Sequence, residues 1–119
     1  MQIKLILKST LNFLFQKRTI IGVYILMAIL AALKQYLRGS YNNYLIFKYV
    51  FWHTWEQKPL YESDTAYLDS NHYGPFFSIL IAPFAILPDW LGMLLWNLVN
   101  TIVLLIAIFK LPLSDRYQK

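Results

Sequence analysis

The residues best suited to chemistry lie in one polar stretch, Tyr61 to Tyr73, which reads YESDTAYLDSNHY. It carries three carboxylates, Glu62, Asp64 and Asp69, together with His72. A carboxylate beside a membrane surface can act as a general base toward a hydroxyl group. An ordinary solvated loop has the same composition, because connecting segments are normally polar. Both interpretations stay open at this point.

Metal and cofactor chemistry have weaker support in the sequence. His53 and Glu56 are three residues apart, as are Asp69 and His72, and such spacing can place two ligands on one ion. The pattern is short and common, and no HExxH-type motif accompanies it. The chain has no cysteine, and its four glycines form no phosphate-binding loop. We therefore expect neither a metal site nor a cofactor.

The elements that must position these residues are membrane helices. Of the 119 residues, 58% are hydrophobic and only 14% are charged, whereas soluble domains carry about 25% charged residues. The net charge is +5, but Lys4, Lys8, Lys17 and Arg18 precede the first long apolar run with no acid among them. That arrangement is a membrane-topology signal, so nucleic acid is not an expected partner.

Three apolar runs follow, and the expected fold class is all-α. We predict an integral membrane protein with two to three transmembrane helices, at about residues 19–37, 74–88 and 90–109. The middle run contains Pro75 and Pro83 and is short, so the sequence leaves open whether it crosses or is re-entrant. A cleavable signal peptide is the rival interpretation of residues 1–33, but the long basic region and the lack of a small-x-small site favour a retained anchor.

Basic residues also predict the orientation and the division of the chain. We expect residues 1–18 to form a basic cytoplasmic or interfacial segment, and residues 19–119 to form the membrane portion. The N-terminus is then cytoplasmic and the loop after the first helix is exterior. The side on which the C-terminal tail lies depends on whether the middle run crosses.

Aromatic residues are concentrated in that loop, since residues 41–77 hold 12 of the 21 aromatics. We predict an interfacial helix over about 42–57, with His53, Thr54 and Gln57 on its polar side. The aromatic side is either a simple anchor or a platform for a lipid-linked sugar. The candidate substrate-binding aromatics are Tyr44, Trp52, Trp55 and Tyr73. Asn97 and Asn100, one turn apart in the last helix, are expected to hydrogen-bond to a neighbouring helix.

The stretch from Asn42 to Asn100 resembles the N-terminal part of glycosyltransferase family 87, also catalogued as domain of unknown function 2029. The resemblance rests on an Asn/Asp-x-x-x-Phe/Tyr entry, then KPLY, the YGP segment with APFAILP, and LWNLVN, in that order. It implies a bacterial, multi-pass inner-membrane enzyme of the GT-C type. Such an enzyme uses a polyprenyl-phosphate sugar, often mannose, outside the cytoplasmic membrane.

This chain departs from the family in two ways. The family's early loop acid falls at Asn42-Asn43, and an amide cannot accept a proton at neutral pH. The resemblance then leaves the role of base to Asp69 first, followed by Asp64 and Glu62, with Asn43 as a further substrate-binding candidate. The family also has more helices, so we expect an incomplete N-terminal portion, inactive alone, that needs further transmembrane helices from the rest of the enzyme or from another chain.

Two other functions remain possible from the sequence. One is a small non-catalytic multi-pass membrane protein with a structural or accessory role, seated at the interface by its aromatic loop. The other is a membrane-surface binding protein that acts through the basic and apolar residues 1–18.

Overall fold

A computed structural model of the chain describes residues 2–112. This part of the chain contains five helices and no strand: α1 (Gln2–Leu14), α2 (Lys17–Leu37), α3 (Asn42–Trp55), α4 (Pro75–Ala85) and α5 (Asp89–Lys110). The all-α prediction is confirmed. The helix predicted over 42–57 ends two residues earlier than expected, because Gln57 takes a left-handed φ of 55° that stops the helix.

Helices α2 and α5 are both long and apolar enough to span a membrane, with 21 and 22 residues. At 1.5 Å per residue each rises about 30 Å, the thickness of a bilayer core. They pack against each other in antiparallel fashion. The start of α2 meets the end of α5, where the Lys17 ammonium lies 4.6 Å from the centre of the Phe109 ring. The runs predicted at 19–37 and 90–109 are therefore helices of spanning length.

Helix α4 decides between the two and three spans that the sequence left open. It has 11 residues, which rise about 16 Å, roughly half of a bilayer core. Pro75 opens the helix, where its missing N–H costs nothing, and Pro83 removes one backbone hydrogen bond inside it. Two helices within residues 2–112 thus have spanning length, and residues 74–88 do not form a third. Instead, α4 packs along α3.

The antiparallel packing of α2 and α5 also shows which end of the pair Lys110 occupies. Because α4 is too short to cross, Lys17 and Lys110 lie at the same end of the α2–α5 pair. The alternative with three spans would have placed them at opposite ends.

Helix α1 was not predicted, because its apolar and basic residues alternate irregularly. It is joined to α2 at Phe15 and Gln16 and packs lightly against it. Ile3 and Leu7 on this helix are largely exposed. Lys4 and Lys8 are one turn apart and therefore share one side of α1.

Helices α3, α4 and α5 meet at a small contact of Tyr44, Phe84 and Gly92, which we name the helix node. Tyr44 is 4% exposed, and its hydroxyl donates a hydrogen bond of 3.0 Å to the backbone carbonyl of Phe84. That carbonyl also accepts a 3.2 Å hydrogen bond from the backbone N–H of Leu87, while Pro88 has no N–H to offer it. A methyl group at Gly92 would overlap both the Tyr44 hydroxyl and the Phe84 carbonyl oxygen. Glycine at position 92 is what allows these three helices to approach so closely.

Candidate functional site

A histidine–aspartate pair forms the centre of the candidate site. His53, in the last turn of α3, is 5% exposed, and its Nε2 lies 2.8 Å from Oδ2 of Asp64. The other oxygen of Asp64 accepts a 2.7 Å hydrogen bond from the backbone N–H of Ala66. That N–H chiefly lowers the pKa of Asp64; burial opposes the shift, and His53 adds to it. The carboxylate is therefore held ionised and in a fixed position.

The burial of His53 corrects the sequence prediction, which placed it on the polar side of the interfacial helix. Ile46, Val50 and His53 follow the spacing of one helical face, and all three are buried. The ring of Tyr67, from the loop, packs beside His53 at 6.3 Å between ring centres. The partner of His53 is Asp64, which comes from the loop and not from the helix position three residues on.

A cleft of about 690 Å³ opens beside this pair. Tyr49 and Trp52 of α3 contribute aromatic walls. Its charged lining residues are Lys48, Glu56, Lys58 and Asp64. We name this space the charged cleft.

Both lysines of the charged cleft form ion pairs with neighbouring carboxylates. Lys48 Nζ lies 2.5 Å from Oδ1 of Asp89 at the start of α5, and Lys58 Nζ lies 2.6 Å from Oε2 of Glu56. An anion entering the cleft would find ammonium groups held nearby. A sugar ring would find aromatic faces, and a hydroxyl would find an ionised carboxylate.

Two asparagines hold the loop in this shape. Asn71 is 2% exposed, and its amide donates to the carbonyls of Leu60 and Tyr73, each at 3.0 Å, while its oxygen accepts from the Tyr73 N–H at 2.8 Å. Asn42 donates to the Leu68 carbonyl at 2.7 Å and accepts from the Leu68 N–H at 2.6 Å. The sequence did not single out Asn71, because asparagine is common in any polar turn.

The three candidate acids occupy different surroundings. Asp69 is exposed and has a left-handed φ of 78°, and its Oδ1 accepts a hydrogen bond from the N–H of Ser70 at 2.8 Å. Glu62 is also exposed. Neither residue lines the charged cleft, whereas Asp64 does.

The four candidate substrate-binding aromatics also lie in different surroundings. Trp52 lines the charged cleft, and Trp55 is 74% exposed and stacks on Phe51. Tyr73 is 40% exposed and packs against the ring of Phe77 at 4.8 Å between centres. Tyr44 is buried, and desolvation, with a smaller effect of Asp89, raises the pKa of its hydroxyl to about 12. Tyr44 thus packs in the helix node, and it also lines a second cleft.

A second cleft, of about 340 Å³, lies where the end of α2, the start of α3 and α5 meet. Gln35, Asn43 and Asn97 bring carboxamides to it, and Trp96 brings an aromatic ring. We name it the amide cleft, since none of its lining side chains carries a charge. Asn100 differs from the expectation of a bond between helices, because its amide donates to the Trp96 carbonyl of its own helix at 2.7 Å.

Comparison with known proteins gives one match. The sequence model of glycosyltransferase family 87 matches residues 71–116, a stretch that covers the end of the loop, α4 and α5. No curated protein and no solved structure matches the chain. The family match overlaps the part of the predicted resemblance from residue 71 onward. Residues 71–116 are therefore consistent with a partial glycosyltransferase family 87 domain, as the sequence predicted.

Proposed function

We propose that this membrane glycosyltransferase-like chain is part of a GT-C type enzyme. Its reaction moves a mannose-like sugar from a polyprenyl-phosphate donor to an exterior acceptor hydroxyl. The observation that carries the proposal is the ionised Asp64 carboxylate in a cleft that also holds ammonium groups and aromatic faces. The family match over the adjoining α4 and α5 supports the choice of reaction.

The chemistry assigns one role to each group. The oxygen of the acceptor hydroxyl attacks the anomeric carbon of the sugar, and Asp64 accepts the proton that the hydroxyl loses. The bond from that carbon to the phosphate oxygen breaks, and the lipid phosphate leaves as an anion. Each carboxylate oxygen of Asp64 keeps a lone pair beyond its bond to His53 or Ala66, so a proton can still be accepted. Lys58 and Lys48 exchange their carboxylate partners, Glu56 and Asp89, for the oxygens of the phosphate.

The neutral groups serve binding. Trp52 in the charged cleft, Asn43 in the amide cleft and the half-exposed Tyr73 suit the hydroxyls and ring faces of sugars. Trp55, exposed beside the cleft, suits the membrane interface and the lipid chain of the donor. These four are proposed substrate contacts, and Tyr44 is not among them.

The membrane arrangement follows from charge and length. We place α2 and α5 across a bacterial inner membrane, with Lys17 and Lys110 on the cytoplasmic side, so that the charged cleft faces outward. In the spanning windows only 6% of α2 and 17% of α5 is buried inside the protein. Further transmembrane helices, from the rest of the enzyme or another chain, would cover the donor and complete the site.

Donor binding is the first test. The chain in lipid nanodiscs is titrated with a short-chain polyprenyl-phosphate mannose while tryptophan fluorescence is recorded. We expect saturable quenching that Trp52→Phe weakens and that the matched variant Trp90→Phe retains in full, because Trp90 lies outside the charged cleft. Polyprenyl phosphate without the sugar and free mannose should each compete more weakly. Quenching that never saturates would contradict a donor site.

Transfer of labelled mannose, in membranes of the source cell, then tests the base. We expect Asp64→Asn to lower the rate by about 100-fold or more, and Asp69→Asn to leave it within about twofold. Asparagine suits the left-handed backbone at position 69, so this control keeps the loop intact. The opposite result would assign the base to Asp69, and Glu62→Gln tests the third acid in the same way. Absence of both binding and transfer would favour the non-catalytic membrane protein.

A further inference from the structure

A second site lies at the opposite end of the α2–α5 pair from the charged cleft. There the two helices leave a groove of about 400 Å³ between them. Its walls are aliphatic, with Ile21 and Ile25 on α2 and Ile102 and Ile106 on α5. We name it the basal groove. Side chains of this kind offer a hydrocarbon chain the same contacts that lipid tails offer one another.

Two lysines stand at the mouth of the basal groove. Lys17 opens α2, Lys110 closes α5, and both line the groove. The Lys17 ammonium lies over the ring of Phe109, a cation–π contact that holds the charge in place without neutralising it. Arg18 follows Lys17 directly in the chain. This end of the helix pair therefore carries concentrated positive charge beside an apolar surface.

The protein supplies no carboxylate to this charge within the described residues. Every carboxylate of residues 2–112 lies between Glu56 and Asp89, in or near the loop at the other end of the molecule. None of the ion pairs formed in this part of the chain involves Lys17 or Lys110. Among residues 2–112, the charge of these lysines is therefore not balanced by a carboxylate of the protein.

We propose that the basal groove binds one phospholipid with an anionic headgroup. One acyl chain lies between Ile21, Ile25 and Ile106, and the phosphate lies between the ammonium groups of Lys17 and Lys110. Basic pockets between transmembrane helices are known to take anionic lipid headgroups, and the anionic cytoplasmic leaflet supplies them. Charge and apolar shape together select this occupant over a free anion or an uncharged lipid.

The basal groove is separate from the proposed donor site. Helix α2 has 21 residues and begins at the groove, and its rise of about 30 Å separates the groove from the cleft side. One polyprenyl phosphate headgroup could not occupy both places. The lipid proposal therefore stands or falls independently of the proposed transferase reaction.

The test measures lipid that stays bound to the purified chain. The chain in detergent micelles is mixed with phosphatidylglycerol, phosphatidylcholine, polyprenyl phosphate or inorganic phosphate, and bound molecules are counted by native mass spectrometry. We expect one phosphatidylglycerol per chain, retained at least threefold better than phosphatidylcholine, and no displacement by millimolar inorganic phosphate. Better retention of polyprenyl phosphate at the same lysines would overturn the phospholipid proposal, as would a lipid-free dimer.

Matched variants separate a site from general charge attraction. The double variant Lys17→Gln/Lys110→Gln should reduce phosphatidylglycerol retention about tenfold or more. The control Lys4→Gln/Lys8→Gln removes the same charge from α1, outside the groove, and should change retention by less than about twofold. Ile106→Trp fills the groove and keeps every charge, so it should also lose the lipid, with circular dichroism to check the helices. Equal losses from both double variants would overturn the proposal.

Discussion

The loop end of the molecule and the α2–α5 pair satisfy their side chains by opposite means. At the loop end, the buried polar groups His53, Asn71 and Ser78 all have hydrogen-bond partners within the protein. Along α2 and α5 most apolar side chains are exposed, and Ala32 is the one residue of α2 that is buried. The N–H and C=O groups of a backbone segment outside helices need hydrogen-bond partners nearby. An apolar helix satisfies these groups internally, and its side chains can contact lipid. The loop end is therefore specified internally, and the helix pair depends on its surroundings.

The largest effect on stability should come from Gly92 in the helix node, where α5 meets the loop end of the molecule. In Gly92→Ala the added methyl overlaps the Tyr44 hydroxyl and the Phe84 carbonyl, so the three helices must separate. We expect a loss of about 3 kcal/mol in unfolding free energy, measured by thermal or denaturant unfolding in detergent micelles.

Gly22 on α2 provides the matched control for this variant. A methyl group at Gly22 meets nothing within 4 Å, so Gly22→Ala should stabilise the chain by about 0.5–1 kcal/mol through its higher helix propensity. Equal effects of the two substitutions would show that the helix node is looser than the structure indicates.

The next effect concerns the loop end itself. Asn71→Ala leaves two carbonyls and one N–H without the buried amide that pairs them. We expect a loss of about 2–3 kcal/mol, together with faster hydrogen exchange in residues 60–73. Asn100→Ala, which removes one exposed bond on α5, should stay within about 0.5 kcal/mol. A small effect at Asn71 would remove the contrast between the two regions.

A smaller effect is expected where α3 meets α4. Tyr44→Phe deletes only the hydroxyl that donates to the Phe84 carbonyl, and we expect it to cost about 1 kcal/mol. Tyr24→Phe is the control, because Tyr24 is 41% exposed on α2. Unfolding in micelles measures both variants. A stabilised Tyr44→Phe would mean that the hydrogen bond from the Leu87 N–H alone satisfies the Phe84 carbonyl.

The smallest effect is a pH dependence confined to the loop end. The pKa of Asp64 is lowered in the folded chain, so its stabilising contribution is complete above the unfolded value of about 4. It is lost as the pH falls from there through the folded pKa. We expect exchange of the Ala66 N–H to accelerate over that range in the wild type and to lose this dependence in Asp64→Asn. Asp69→Asn should keep the dependence, and the exchange of α2 and α5 should not follow it.

Much of the architecture could be predicted from the sequence, because hydrophobic runs and charge asymmetry are local signals. The length of α5 follows from 20 residues without a charge between Asp89 and Lys110, and α2 follows from a similar, mainly apolar run. The basic residues before the first long apolar run likewise predicted a membrane protein rather than a nucleic-acid-binding one. The family resemblance also depended on local motifs, and the match over residues 71–116 agrees with it.

The site was harder to predict, because its geometry depends on contacts between residues far apart in sequence. His53 was assigned to the polar side of α3 from helical periodicity alone, and the folded loop reversed that assignment by bringing Asp64 and Tyr67 over it. Among three similar loop acids, only the fold places Asp64 in the charged cleft and leaves Asp69 exposed.

The sequence by itself therefore determined the all-α class and the two long apolar runs at its ends, and it indicated the polar loop as the place of the candidate site. Tertiary structure alone decided that α4 packs on α3 without crossing, that Lys17 and Lys110 share one end, and that Gly92 is the contact point of three helices. The physical reason is the distance along the chain over which each interaction acts. Hydropathy acts along the chain within one helix, whereas a hydrogen bond such as that of Tyr44 to Phe84 joins residues 40 positions apart and exists only once the helices have packed.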